Sequence, residues 1–422
     1  MKHYHQMKDS GIEWIGEIPE EWFISRLRFL VDITTGEKDT IDNEEDGKFP
    51  FFVRSQNIEK ISTYSCDEEA VLTAGDGVGV GKVFHYIDGK FDFHQRVYKM
   101  SNFKKIDGKY FFYFFKENFQ KEVFKGTAKS TVDSLRRHML QDFPVVFGSK
   151  TEQKQIADFL DKKTKIIDNE ISKNQKLITL LQELKQSTIN HVVTKGLNDT
   201  VPMKDSGIEL IGEIPESWNI NKIKYTSYVK GRIGWQGLSS DEYATEGPYL
   251  ITGTDFVDGK IKWSTCNHVE SWRYNQDPYI QIKKNDVLIT KDGTIGKVAI
   301  IDNIPDKTTL NSGVMVIRPL KNSYDPSYLF WILKSNQFID FIDLIKQGST
   351  IQHLYQKTFD NFPIVLPNSF EEQKQIVDYL DKKTTKTDKL ISKVELQIKQ
   401  LEEFRESLIS SAVTGKIQVA GA

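Results

Sequence analysis

The strongest constraint on this chain is that it contains much of itself twice. The segment opening Met7-Lys8-Asp9-Ser10-Gly11-Ile12 and closing at Trp22 returns over residues 203–218, identical at 14 of 16 positions. Further on, the segment that opens Glu152-Gln153-Lys154-Gln155-Ile156 and ends at Thr164 matches residues 372–384 at 11 of 13 positions. The offsets are 196 and 220 residues, so each half reads as an opening motif, a long variable region and a shared segment. That period far exceeds the ~20–50 residues of solenoids and propellers and marks a duplicated domain. With 422 residues and 38% hydrophobic content, the chain can bury two ordinary cores.

The shared segments are helical by periodicity. From Ile156 the positions Leu160, Lys163, Ile167, Ile171, Asn174, Ile178, Leu181, Leu184, Thr188 and Val192 follow a three-four spacing, the stripe of a coiled coil or bundle. The second copy runs Ile376, Leu380, Lys383, Thr387, Leu390, Val394, Ile398, Leu401, Phe404, Leu408 and Ala412. A ~40-residue helix is roughly 60 Å long, well beyond a usual globular helix. Each helix could pack on its own domain alone, but the similar narrow stripes with charged flanks favour an antiparallel pair acting as a spacer.

The variable regions have mixed α/β patterning. Residues 286–290 and 297–301 are short β-branched runs joined by Asp292-Gly293-Thr294-Ile295-Gly296, which predicts a hairpin. In the first half, Ala70-Val71-Leu72, the loop 75–82 and residues 83–86 occupy the equivalent place. Helices are expected around 110–124 and 328–344, and Phe-Pro strands at 143–146 and 362–365 lead into the long helices. The expected fold class is α+β: two mixed α/β domains with small sheets and two long helices in a pseudo-twofold repeat. The boundaries fall at 1–150, 151–195, 196–369 and 370–415.

No catalytic constellation is visible. Gly77-Val78-Gly79-Val80-Gly81-Lys82 has the glycines of a phosphate cradle, but Val83 stands where a Walker loop needs Ser or Thr for magnesium. As a dinucleotide fingerprint it lacks the following helix and acidic partner, so it reads as a strained loop presenting Lys82. There is no methyltransferase-like Asn-Pro-Pro-aromatic tetrapeptide and no orderable Ser-His-Asp set. Pro278, Gln281 and Lys283 echo a nuclease cluster without the carboxylate pair it would need. His3 and His5 fall in what reads as a disordered tail, the other histidines lack ligand spacing, and no metal is assigned. Cys66 and Cys266 lie far apart, which argues against a disulfide framework or zinc ribbon and fits a reducing cytosol. Residues 1–7 lack an apolar leader and the aromatic run 110–115 is too short for a bilayer, so a cytoplasmic, non-membrane protein is expected.

Charge is the remaining signal. Because 57 Lys+Arg balance 59 Asp+Glu, any surface for a polyanion must be a local patch. Between His94 and Arg137 eleven basic residues meet four acidic ones, interleaved with aromatics. The aromatics read as core; the cations are candidate phosphate contacts, and Gln95, Arg96, Arg136 and Arg137 could reach base edges. Residues 260–297 carry a milder excess of seven basic over four acidic.

In order and in duplicate, the Lys-Asp-Ser-Gly-Ile-Glu-x-Ile-Gly-Glu-Ile-Pro-Glu-x-Trp opening, the Gly293-Thr294-Ile295-Gly296-Lys297 loop and the Glu-Gln-Lys-Gln-Ile helix starts make the chain resemble the specificity (S) subunits of type I restriction-modification systems. The resemblance covers nearly the whole chain. It implies two target-recognition domains, each reading one half of a bipartite double-stranded DNA site, separated by an antiparallel helix pair that sets the spacer. It also implies two methyltransferase (M) and two restriction (R) subunits as partners. S-adenosylmethionine, ATP and Mg would be bound there, and no cofactor would be bound by this chain. Lys162, Lys163, Lys382 and Lys383 on the outward helix faces are candidates for M docking. The candidate DNA-contacting residues are Lys82, Gln95, Arg96, Lys129, Arg136, Arg137, Arg273, Lys291, Thr294, Lys297, Gln347 and His353. The first half departs from the usual loop, which leaves the equivalence of Lys82 with Lys297 open. The alternatives are a structural coiled-coil tether, for which two large variable regions would be wasteful, and a stand-alone DNA-modifying enzyme, whose motifs are missing.

Overall fold

The computed structural model describes residues 3–123, 134–233, 238–347 and 353–419. The chain divides into two compact units, one of Met1–Lys176 with Glu395–Ala422 and the other of Leu177–Val394. Each unit therefore takes in part of both long helices.

The two opening motifs fold alike. Met7–Asp9 pairs antiparallel with Glu17–Pro19, and Met203–Asp205 with Glu213–Pro215. Gly16 and Gly212 turn these hairpins at φ +68° and +70°, a left-handed backbone that glycine adopts at little cost. His3, expected in a loose tail, is instead tied down: its Nδ1 hydrogen-bonds the Lys416 carbonyl at 2.9 Å.

In the first unit a six-stranded mixed sheet runs in the order Asp32–Thr35, Val97–Ser101, Cys66–Ala74, Phe84–Phe93, Phe49–Phe52, Glu59–Ile61. The helix Gly108–Val123 covers it. Tyr110, Phe111, Phe114, Phe115 and Phe119 of that helix are fully buried in one cluster with Phe84 and Phe143, each burial worth roughly 1.5–3 kcal/mol. The aromatics are core.

The second unit carries a four-stranded antiparallel sheet, Ser227–Gly231, Val314–Pro319, Val287–Thr290 and Val298–Ile300. Beside it lies a three-stranded mixed sheet, Asn267–Val269, Tyr243–Ile251 and Thr308–Leu310. The expected hairpin is present, with Val287 opposite Ile300. The single helix expected over 328–344 is broken into Pro326–Leu333 and Asn336–Gln347. Ser335 causes the break: its buried hydroxyl donates to the Ile332 carbonyl at 2.7 Å, and its own carbonyl starts the next helix by accepting the Phe338 and Ile339 amides. Both Phe-Pro strands form, Pro144–Phe147 against Phe23–Arg26 and Pro363–Leu366 against Asn219–Lys222.

The long helices are Lys150–Lys195 and Phe370–Val413. In the first unit Tyr110 donates to the Val146 carbonyl, just before one helix, and to Val413 at the end of the other. Asp168 there pairs with Arg405, so the two segments run antiparallel. The second unit repeats this, with Tyr328 donating to Val365 and Val193 and Lys185 pairing with Asp388. Not all of the predicted stripe faces inward: Lys163, Leu184, Lys383, Leu390 and Phe404 are exposed. An α-helix drifts ~20° per heptad from a 3.5-residue repeat, so the stripe walks off the seam, and Lys185, Gln186 and Ile189 turn inward beyond Leu181.

Candidate nucleic-acid interface

In the first unit a short backbone ladder gathers three loops. The Gly75 amide donates to the Arg96 carbonyl at 2.8 Å, and the Leu135 amide donates to the Gly75 carbonyl at 2.7 Å. At the centre sits Asp76, whose Oδ1 accepts Arg54 Nη1 at 2.9 Å and whose Oδ2 accepts Arg96 Nη1 at 2.8 Å. Desolvation opposes the Asp76 charge, but the hydrogen bonds from Arg54 and Arg96 outweigh it and hold the carboxyl below the usual range. Gln95 donates its side-chain amide to Asp39 at 2.6 Å, and Arg137 Nη2 donates to the Ile33 carbonyl at 2.6 Å. Lys82 and Arg136 are exposed. Thus Lys82, Gln95, Arg96 and Arg136 lie on converging loops, and Arg137 opens the short helix Arg137–Gln141 beside them. Arg54 joins them and was missed because it lies outside the basic stretch; the polar run Arg54-Ser55-Gln56-Asn57 after an apolar strand was its only signal.

The second unit builds the same ladder from other residues. The Lys291 amide donates to the Gly313 carbonyl at 2.8 Å, and the Leu354 amide to the Lys291 carbonyl at 2.9 Å. Gly77 and Gly293 have φ +73° and +65°, and Gly81 and Gly296 have +69° and +86°. One extra residue separates the glycines in the first loop; Lys82 and Lys297 each follow the second glycine, but by strand pairing Lys297 lies opposite Thr290, where the first unit places Val83. The electrostatics differ between the two loops. Asp292, at the place of Asp76, pairs with His353, whose ring packs against Tyr355 with centroids 4.4 Å apart. The Thr290 hydroxyl donates to the Thr294 carbonyl at 2.6 Å and accepts the Lys297 amide at 2.9 Å, so Thr294 closes the loop through its backbone. Arg273 is not available as expected: its guanidinium is taken by Glu242 and Gln276 and its side chain is only 13% exposed. Lys129 and the Gln347 side chain lie outside the described residues.

The basic stretch 94–137 does not form one patch. Lys99 pairs with Glu68, Lys104 with Asp32, Lys109 with Asp161 and Lys121 with Glu117, and burial pushes the Lys116 pKa down. Both cysteines are free, and burial pushes the Cys266 thiol up to about 12. Among the described residues no His, Cys, Asp and Glu cluster could hold a metal ion, and no helix is long and apolar enough to cross a membrane.

Each of the two sheet-and-helix units is closed by antiparallel helix segments and gathers polar and cationic side chains on its loops. The chain belongs to the family of the type I restriction modification DNA specificity domain, whose model matches residues 19–180 and 241–400. The resemblance seen in the motifs is thereby borne out. Proteins of this family are specificity subunits and carry no catalytic activity of their own. The chain is 26% identical to the type I restriction enzyme MjaVIII specificity subunit of Methanocaldococcus jannaschii, over 95% of this chain and 94% of that one. It is 22% identical to the EcoDI specificity subunit of Escherichia coli, over 95% and 90%. Among solved structures, a chain from a study of type I restriction-modification complex assembly and conformational transition matches with a TM-score of 0.72 at 14% identity, covering 95% of this chain and 99% of that one. The HsdS subunit of Thermoanaerobacter tengcongensis matches with a TM-score of 0.53 at 14% identity, covering 95% and 98%. At these identities the structures speak for the fold.

Proposed function

We propose that this chain reads a bipartite DNA site for a cytoplasmic type I restriction-modification complex, each unit reading one half-site. The observation that carries this reading is the loop ladder made twice, once around Asp76 with two arginines and once around Asp292 with His353. One scaffold with different side chains at equivalent positions is what two different half-sites require. Lys82 and Lys297 supply phosphate contacts beside these loops, and Gln95, Arg96, Arg136, Arg137, Lys291 and His353 lie within reach of base edges.

The long helices set the spacing and dock two M subunits, with two R subunits completing the complex. Ile166, Leu396 and Phe404 in the first unit and Leu180 and Leu184 in the second are exposed apolar side chains on these helices, and Lys162, Lys163, Lys382 and Lys383 are exposed as well. Uncovered apolar surface on long helices suits helical partners. The partners would bring S-adenosylmethionine, ATP and Mg; this chain binds none of them in this reading.

Mapping methylated adenines across the host genome with and without this gene tests the reading. One bipartite motif should vanish on deletion, and unchanged methylation would refute it. Exchanging residues 20–148 for another specificity subunit's first variable region should change one half-site only.

A further inference from the structure

The two ladders differ most at the loop carboxylate, and that difference has a chemical consequence. We infer that Arg96, braced by Asp76, reads a guanine in the half-site bound by the first unit, an inference that rests on the DNA-reading function proposed above. Asp76 engages Arg54 and Arg96 through Nη1 alone. This leaves the Nε and Nη2 edge of each guanidinium without a partner among the described residues. That edge is a planar fork of two N–H donors, and in the major groove guanine presents two acceptors, N7 and O6, at matching spacing.

Arg96 is the better placed of the two, its side chain being 58% exposed against 40% for Arg54. Its main chain is fixed on both sides. The Arg96 amide donates to His94 Nδ1 at 2.9 Å, its carbonyl accepts the Gly75 amide, and the preceding Gln95 amide donates to the Lys38 carbonyl at 2.8 Å. A long side chain held at its backbone and at Nη1 loses little further freedom on meeting a base. Each Asp76 oxygen already accepts from an arginine, so its charge is spent on the brace. The other nearby acid, Asp39, is engaged by Gln95 and by the Thr40 amide. The Arg54–Asp76–Arg96 cluster taken by itself carries one excess positive charge, which favours a phosphate backbone nearby. In the second unit Asp292 pairs with His353, and among the described residues no arginine is paired with it, so this device belongs to one half-site.

The test uses the assembled methyltransferase complex. Methylation motifs are mapped for the wild type and for Arg96→Lys, which keeps the charge and loses the fork. Wild-type binding is then measured on duplexes of the mapped motif in which each guanine in turn is replaced by 7-deazaguanine, which lacks N7. The expected result is a motif degenerate at one guanine of one half-site in Arg96→Lys, with the other half-site and the spacer unchanged. 7-Deazaguanine at that position weakens wild-type binding about 10-fold, the loss of the N7 half of the bidentate contact, and weakens Arg96→Lys binding less. Asp76→Asn, which loosens the brace, broadens the same position. A wild-type bipartite motif that Arg96→Lys leaves intact overturns this inference alone, as does a motif with no guanine sensitive to 7-deazaguanine. The deazaguanine result needs no variant to fold. Absence of any bipartite motif for the wild-type complex overturns the function proposed above, and this inference with it.

Discussion

Arg405 and Asp168 form an ion pair between the two long helices in the first unit, and the repeat reproduces it in the second. A shift of 220 residues carries Asp168 onto Asp388 and Lys185 onto Arg405, so the same acid-base contact is made once per unit, with Lys in place of Arg. Other contacts are doubled in the same way. Trp22 Nε1 donates to Glu152 at 3.1 Å and Trp218 Nε1 to Glu372 at 3.0 Å. The Tyr113 hydroxyl donates to Asp161 at 2.8 Å and Trp331 Nε1 to Asp381 at 2.9 Å. The framework and the backbone ladder of the loops are duplicated down to their hydrogen bonds, while the side chains around the ladder differ.

The helix ion pairs should contribute little stability. Arg405 and Asp168 are 34% and 53% exposed, so solvent screens their attraction, and such pairs are worth about 0–1 kcal/mol. A double-mutant cycle of Arg405→Ala and Asp168→Ala, followed by urea unfolding, should give a coupling of about 1 kcal/mol or less. A coupling above about 2 kcal/mol would show a desolvated pair instead.

The buried tyrosines should matter more. The Tyr110 hydroxyl serves the Val146 and Val413 carbonyls at 2.8 Å each, whereas Tyr328 serves Val365 and Val193 at 3.2 and 3.3 Å. Tyr110→Phe keeps the ring and removes the one hydroxyl proton that two buried carbonyls share, a loss of about 1–3 kcal/mol. Tyr328→Phe, with longer bonds, should cost less. Denaturant midpoints of the two variants would show whether this order holds.

Much of this framework was legible in the sequence because it is built from local, repeated signals: the opening motif, the β-branched hairpin at 286–301 and the three-four stripe beginning at Ile156. The loops were harder. Arg54 reaches Asp76 across 22 residues of sequence, and no spacing rule reports such a contact. Arg273 looked available because its neutraliser, Glu242, lies 31 residues away. Lys99, Lys104 and Lys109 counted toward a basic patch although folding pairs each with a distant carboxylate. Charge tallies see residues and not partners, whereas periodicity already encodes which face is buried.

Acid should weaken the first unit. His85 is buried with Nε2 2.9 Å from the Ser55 carbonyl, and burial holds its pKa below the ordinary value; burial, then the charge of Arg54, does the same for His94. In the unfolded chain both titrate near pH 6.5. Below about that pH the unfolded state therefore binds more protons than the folded one, and stability present at higher pH is lost as pH falls. Melting temperature should drop between about pH 6.5 and 5, and His85→Gln should flatten the decline. A variant that follows the wild-type curve would remove His85 from the explanation.

Lys82 and Lys297 should behave as phosphate contacts and not as base readers. Replacing either with Ala should make the dependence of log binding constant on log salt shallower by about 1 for the complex on its duplex, with the methylation motif unchanged. An unaltered slope would place that lysine away from the backbone of the DNA.

The closing hydrogen bonds from Tyr110 to Val413 and from Tyr328 to Val193 bear on how such a chain could arise. Val193 lies in the last turn of the first repeat's helix and belongs to the second unit; Val413 ends the helix of the second repeat and belongs to the first unit. A polypeptide of one repeat would carry a donor tyrosine with no helix end to receive it, unless two molecules traded ends. In this chain a single polypeptide supplies both helix ends, so neither tyrosine depends on a second molecule for its partner.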